Sequence, residues 1–298
     1  MKLYSPAVVR QIIDKYKFRF QKNLGQNFLI DGNIVNKIVE SAELNSSDVV
    51  LEIGAGIGTL TSALAERAGK VVVVEIDRNL QPILAETLAE YDNIEIVIGN
   101  ALKANFDKII AEHTAGQYGS NAKPYKVVAN LPYYITTPLI MHALESHFNM
   151  SMEIFMIQKE VAERITADPG GKEYGALTIG VNYYSDPQLV LRVPKKVFMP
   201  QPEVESAVIR LRTRDKPPFP VENEQIFFRL VKAAFGQRRK TLLNAVLGVC
   251  PGMDKNMVAQ MMARIGIDSG RRGETLSLAE FGQLANTIYK KIPLEKQV

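Results

Sequence analysis

Short runs of apolar, mostly β-branched residues recur through the first half of the chain, at 49–53 (VVLEI), 71–76 (VVVVEI), 94–98 (IEIVI), 126–129 (KVVA) and 152–158 (MEIFMIQ). Such unbroken runs suit strands covered on both faces, and helical spacing fills the stretches between them. The pattern predicts a βαβα succession around a mostly parallel sheet. Ahead of the first run, Ile34, Val35, Ile38, Val39 and Ala42 fall on one face of a predicted helix, with Asp31 or Asn33 as its cap. Segments 189–193 and 204–212 read as closing strands, the second (VESAVIRLR) alternating as a partly exposed strand does. The glycine- and polar-rich stretch 114–124 reads as a surface loop. In RDKPPFPVE, residues 214–222, the prolines oppose both helix and central strand. Beyond them the chain is helical throughout, with strong periodicity in 224–247, 254–265 and 277–290. Two domains are predicted, an α/β domain over 1–213 and a smaller all-helical domain over 219–298.

Composition narrows the class without naming a function. The 298 residues are 46% hydrophobic and 23% charged, the balance of a water-soluble globular protein, and no apolar run approaches the ~20 residues needed to cross a bilayer. Cys250 is the only cysteine and there are three histidines. An internal disulfide is excluded, and a metal centre is not expected. The start, MKLYSPAVVRQIIDKY, has no secretory pattern, so a reducing cytoplasm is the expected compartment. The formal charge of +4 permits an anionic partner.

Two motifs carry the candidate chemistry. In VVLEIGAGIGTLTSAL, Gly54, Gly56 and Gly58 lie between a buried strand and a helix, where glycines allow a tight turn and close approach of a ligand to the backbone. Nineteen residues after Gly56, at the end of the next strand, stands Glu75, whose carboxylate can accept both hydroxyls of a ribose. Together they point to a nucleoside cofactor, with NAD and S-adenosylmethionine both open. The discriminator is Asn130-Leu131-Pro132-Tyr133, directly after the fourth strand. The exocyclic amine of adenine is a poor nucleophile because its lone pair is delocalised. The Asn130 carboxamide oxygen and the Leu131 carbonyl can accept its two N–H bonds and hold that lone pair toward a sulfonium methyl. Pro132 stiffens the turn, and Tyr133 offers a face on which an extruded base can stack.

In order along the chain, QNFL (26–29), EIGAGIG (52–58), VEID (74–77), NLPY (130–133), VFMPQPEVESAV (197–208) and FGQRRKTLLNAVL (235–247) closely resemble the bacterial small-subunit ribosomal RNA adenine N6,N6-dimethyltransferases. The resemblance implies a Rossmann-like S-adenosylmethionine-dependent methyltransferase domain followed by a small helical domain. It implies that Asn27 and Leu29 border the cofactor, that Gly54 and Gly56 form its loop, that Glu75 holds its ribose, and that Asn130 joins cofactor to target amine. Phe198 resembles the family aromatic that closes over the flipped base opposite Tyr133. One position departs from the family pattern: Asn100, in IGNAL, stands where an aspartate usually accepts a bond from the cofactor's adenine amine. Asn100 is expected to accept through its side-chain oxygen without the charge, with weaker cofactor binding.

The implied product is N6,N6-dimethyladenosine at two neighbouring adenosines near the 3′ end of 16S ribosomal RNA, in the small subunit or its late precursor. Four methyl donors are consumed, and no metal is needed. A monomer is the expected state. The basic arm at 2–22, Lys195 with Lys196, and Arg238-Arg239-Lys240 are the densest positive features available to RNA phosphates. If one helix runs unbroken through Gly236, Arg238 falls in an apolar stripe with Val231, Phe235, Leu242 and Val246, and Lys240 is the better phosphate ligand. Three other readings stay open. These are the same chemistry on large-subunit RNA, as in the macrolide-resistance enzymes; methylation of DNA adenine, disfavoured by NLPY in place of D/NPPY; and a non-catalytic RNA-binding factor on this fold.

Overall fold

The computed structural model describes residues 1–21, 24–237, 239–250 and 252–291. The chain opens on α1 (Pro6–Lys15), the two-residue strand β1 (Phe28–Leu29) and α2 (Gly32–Ser41). Asp31 caps α2, its Oδ1 accepting from the N–H groups of Asn33 at 2.9 Å and Ile34 at 3.2 Å, which decides between the two predicted caps. Asp31→Ala is expected to cost about 1 kcal/mol of stability, readable in urea unfolding, as the loss of a cap that satisfies two amides.

The alternation then runs β2 (Val49–Ile53), α3 (Thr59–Ala65), β3 (Lys70–Glu75), α4 (Gln81–Thr87), β4 (Ile94–Ile98), α5 (Phe106–His113), β5 (Tyr125–Asn130), α6 (Thr136–Glu145) and β6 (Met150–Gln158). After α7 (Lys159–Ile165) and α8 (Ala176–Tyr184) come β7 (Ser185–Val193), β8 (Phe198–Met199) and β9 (Ser206–Thr213). Seven strands form one sheet in the order β4-β3-β2-β5-β6-β9-β7, parallel from β4 to β6, with β9 antiparallel to β6. This is the Rossmann-like arrangement the apolar runs imply. The chain leaves β2 toward β3 and β4 and returns to β5 on the other side of β2. That topological switch opens a crevice at the carboxyl ends of the strands.

β9 departs from expectation. Its first four residues, Ser206–Ile209, are all buried, because it lies between β6 and β7 inside the sheet rather than at its margin. β1 and β8 form a separate antiparallel pair, with Phe28 opposite Met199 and Leu29 opposite Phe198.

Two compact units are present. The first is Met1–Ala162 with Asp186–Thr213; the second is Glu163–Ser185 with the chain from Arg214 on. The break after Thr213 coincides with the proline-rich boundary read from sequence, whereas Glu163–Ser185 belongs to the helical unit instead of the α/β domain. The reason is packing: the Tyr183 ring stacks on Phe227 at 4.9 Å, its hydroxyl donates to Glu224 Oε1, and the Tyr174 hydroxyl donates to the Leu276 carbonyl at 2.7 Å.

The second unit continues with α9 (Glu224–Gly236), α10 (Leu242–Val246), α11 (Lys255–Arg264) and α12 (Leu278–Tyr289). The predicted helix over 224–247 is broken. Gln237 leaves the helical region, and the amides of Leu242 and Leu243 donate to the carbonyls of Arg271 and Ser269. Lys240 therefore does not share a helical phase with α9. Lys240 is exposed, and Arg238 lies outside the described residues. No helix among the described residues is long and apolar enough to cross a membrane.

Candidate active site

The strand ends converge on one cleft in the first unit. Its walls come from the turn after β2 (Gly54, Gly56), the end of β3 (Glu75, Ile76), the turn after β4 (Gly99, Asn100), the end of β5 with its following turn (Asn130 to Ile135), the segment before α2 (Leu24 to Phe28), and Phe198 of β8. Of the eleven residues placed at the cofactor or the target base from sequence, ten line a single space. The exception is Leu29, which lies in the hydrophobic core and does not face the cleft.

The glycine turn has the conformation its residues require. Gly54, Gly56 and Gly58 have φ of +80°, +57° and +90°, where side chains are strained. A Cβ on Gly58 would lie 2.9 Å from Leu88, so packing as well as conformation excludes a larger residue there. A Cβ on Gly54 would meet nothing within 4 Å, which leaves the backbone open to a ligand in the cleft. Beside this turn the Glu75 carboxylate is 4% exposed and accepts from the Gly56 amide at 3.3 Å and the Asp77 amide at 2.8 Å. Burial lifts its pKa above the ordinary carboxylate value, with these amide donors opposing the shift.

Asn130 is held in one orientation. Its Nδ2 donates to the Asn27 carbonyl at 3.1 Å, and among the described residues its Oδ1 accepts no hydrogen bond. The acceptor end is left for a ligand in the cleft. The Asn27 side chain donates to the Gly25 carbonyl at 3.1 Å, and Gln26 bridges the Gln21 amide and Asp77 Oδ2. The segment before α2 is thereby tied to the ends of both β3 and β5. Leu131 is buried, its amide bonded to the Met156 carbonyl, and Pro132 accepts from the Ile135 amide, so the turn carrying Tyr133 is firmly seated. The Tyr133 ring is half-buried. Phe198 is 4% exposed and comes to the cleft through the pairing of β8 with β1.

Residues 17–290 match the family of ribosomal RNA adenine dimethylases. The chain belongs to that family. It is 50% identical over 291 residues to the ribosomal RNA small subunit methyltransferase A of Alkaliphilus oremlandii, spanning 98% of this chain and 99% of that one. Among solved structures, a dimethyladenosine transferase from Plasmodium falciparum aligns with a TM-score of 0.75 at 26% identity, over 89% of this chain and 98% of that one. The 23S rRNA methyltransferase ErmE aligns with a TM-score of 0.68 at 27% identity, over 88% and 99%. The dimethylase is therefore an enzyme that uses S-adenosylmethionine, which resolves the choice between nucleoside cofactors left open by the glycine turn and Glu75.

With the family established, three features of this dimethylase stand apart from the sequence reading. Asn100 Oδ1 already accepts from the Leu102 amide at 3.0 Å, which leaves that oxygen one further lone pair. An adenine amine would share that oxygen with the backbone, whereas an aspartate would offer a second oxygen and a charge. Asn100→Asp is expected to tighten S-adenosylmethionine binding about tenfold, the value of one charge-assisted bond gained, and calorimetric titration reads it directly. Second, Gln26, Ile76, Asp77 and Tyr134 were not singled out in the sequence, although VEID and QNFL carry three of them. Ile76 and Tyr134 are 47% and 54% exposed on the cleft wall, unusual for large apolar side chains. Third, Glu52, two residues before Gly54, is fully buried, and among the described residues neither oxygen has a hydrogen-bond partner. Burial, opposed by the neighbouring Thr61 hydroxyl and aided by the Glu75 charge, pushes its carboxyl up to about 8.

The positive features fare unequally. Lys15 and Tyr16 of the N-terminal arm both donate to Glu86, and Lys195 donates to the Glu203 carbonyl at 2.6 Å. Those two lysines are engaged within the protein. Lys22 lies outside the described residues.

Proposed function

We propose that this dimethylase converts two adjacent adenosines near the 3′ end of 16S ribosomal RNA to N6,N6-dimethyladenosine, acting in the cytoplasm as a monomer on the small subunit or its late precursor. The observation that carries the reading is the Asn130 carboxamide, anchored through Nδ2 to the Asn27 carbonyl with Oδ1 open to a cleft that also holds the glycine turn, Tyr133 and Phe198. The small-subunit target is supported by 50% identity to an enzyme named for that subunit, against 27% to the 23S enzyme.

The residues present fit S-adenosylmethionine. Gly54 offers open backbone, Glu75 a carboxylate with lone pairs left beyond its two amide donors, and Asn27 and Asn100 polar atoms at the rim. Bound there, S-adenosylmethionine would supply a methyl on a cationic sulfur, a leaving group able to depart with the bonding pair. Asn130 Oδ1 and the Leu131 carbonyl accept the two N–H bonds of the target amine and turn its lone pair toward the methyl. Tyr133 and Phe198 hold the extruded base between aromatic faces. The proton shed by nitrogen passes to water without a strong base, because alkylation makes it acidic. No side chain is needed as a nucleophile, and the rate comes from positioning.

Labelled methyl transfer to unmethylated small and large subunits, offered separately, tests the reading. Label confined to small-subunit RNA is expected. Label in large-subunit RNA would move the protein to resistance-type chemistry, and tight binding without transfer would make it a binding factor.

A further inference from the structure

The Tyr133 hydroxyl lies 2.7 Å from Ser206 Oγ, across 73 residues of sequence. Ser206 is fully buried at the start of β9, where it pairs with Gln158 of β6, so the backbone on which its hydroxyl stands is fixed by the sheet. The Glu205 carbonyl just before it accepts from the Lys159 amide at 3.0 Å. At its other end, the backbone of the Tyr133 turn is held by the Leu131–Met156 and Ile135–Pro132 bonds. The ring is therefore fixed at both ends, by the turn at its Cα and by β9 at its hydroxyl. The same stretch of chain, 198–206, begins with Phe198, which β1 holds at the cleft. One segment thus carries one aromatic wall and the anchor of the other.

We infer that Ser206 is a positioning residue, which sets the plane of the Tyr133 ring against the target base and matters most in the second methyl transfer. The inference rests on Tyr133 being a wall of the base site. In the first transfer the target amine has two N–H bonds for Asn130 Oδ1 and the Leu131 carbonyl. After one methyl it has a single N–H, and one of those anchors is lost. The base must then be held chiefly by its faces, and a Tyr133 ring free to swing holds it less well. Chemistry at nitrogen is the same in both rounds: the carbon–sulfur bond breaks with its pair on sulfur, the nitrogen–carbon bond forms, and the proton leaves to water.

The test is single-turnover methylation of unmethylated small subunits followed by quantification of N6-methyladenosine and N6,N6-dimethyladenosine, using wild type, Ser206→Ala, Ser206→Thr, Tyr133→Phe, the Ser206→Ala/Tyr133→Phe double variant and Tyr133→Ala. S-adenosylmethionine affinity and thermal midpoint are measured in parallel to confirm that each variant is folded. Ser206→Ala and Tyr133→Phe are each expected to slow the second transfer about tenfold, the factor carried by one hydrogen bond, and the first transfer much less. Monomethyladenosine then accumulates. The double variant matches either single one, and Ser206→Thr, which keeps the hydroxyl, restores the dimethylated product. A wild-type ratio of the two products in Ser206→Ala, with the ratio altered in Tyr133→Ala, would overturn the inference and leave Tyr133 as a wall. Losses that add in the double variant would overturn it as well. Wild-type rates in Tyr133→Ala would remove the base-site reading on which it stands.

Discussion

Asn130→Ala is expected to reduce methyl transfer by at least about a thousandfold while leaving S-adenosylmethionine binding within about threefold of wild type. Its oxygen is the acceptor aimed at the reacting amine, and losing a preorganised group at the point of bond formation costs on the order of 10²–10³ in rate. The substitution also cuts the tie from Nδ2 to the Asn27 carbonyl, which loosens the segment before α2 and adds to the loss. Cofactor contacts at the glycine turn and Glu75 do not pass through Asn130, so the affinity loss read by calorimetry, which comes through the loosened Asn27 segment, stays within that threefold. Asn130→Asp separates the two contributions. It keeps an acceptor but has no N–H for the Asn27 carbonyl, and the two oxygens repel. A variant retaining a tenth or more of wild-type activity would mean that Asn130 does not hold the amine.

The second large effect concerns stability. Glu153 is fully buried in β6, with Thr213 Oγ1 donating to Oε1 at 3.3 Å and Oε2 without a partner. Burial pushes its carboxyl up to about 8, against an ordinary value of 4.5. Between those values the folded protein holds a proton that the unfolded chain has released, so stability falls as pH rises from 4.5 through 8. The loss above pH 8 is on the order of 3–5 kcal/mol for this one group. Glu52 acts in the same direction, and the carboxylates held low by neighbouring cations, such as Glu43 beside Arg212 and Glu280 beside Arg271, titrate below this window. Glu153→Gln is expected to be less sensitive than wild type, losing a few kcal/mol less between pH 5.5 and 8.5 in urea unfolding. Equal losses in the two proteins would show that Glu153 titrates normally.

The sheet was legible because its central strands are buried on both faces, so VVLEI and VVVVEI announce themselves without help from their partners; IEIVI, expected to be covered in the same way, is the edge strand and only partly buried. The same runs carried an unread signal. A glutamate inside a stretch predicted to be covered on both faces, as Glu52 and Glu153 are, must be buried too, and a buried carboxyl with no charge partner shifts its pKa upward. Most of the cleft was legible for a different reason: a parallel sheet delivers the residues at its carboxyl ends to one place, so Gly54, Glu75, Asn100 and Asn130 meet whatever the details of packing. What sequence left hidden depends on contacts between distant segments. Leu29 was placed at the cofactor, but a two-residue strand has no alternation long enough to show which side chain faces the cleft. Ser206 meets Tyr133, and Gln26 meets Asp77, only once β9 and the N-terminal segment are in place. The assignment of Glu163–Ser185 to the helical unit likewise follows from Tyr183 against Phe227, a pairing that no local pattern announces.

The most direct test of the proposed activity is mass analysis of nucleosides from unmethylated small subunits incubated with this protein and excess S-adenosylmethionine. Two N6,N6-dimethyladenosines per subunit are expected, both recovered in the 3′-terminal fragment of 16S ribosomal RNA and absent when Asn130 is alanine. Methyl groups found elsewhere in the RNA, or none at all from a protein that binds both cofactor and subunit, would contradict it.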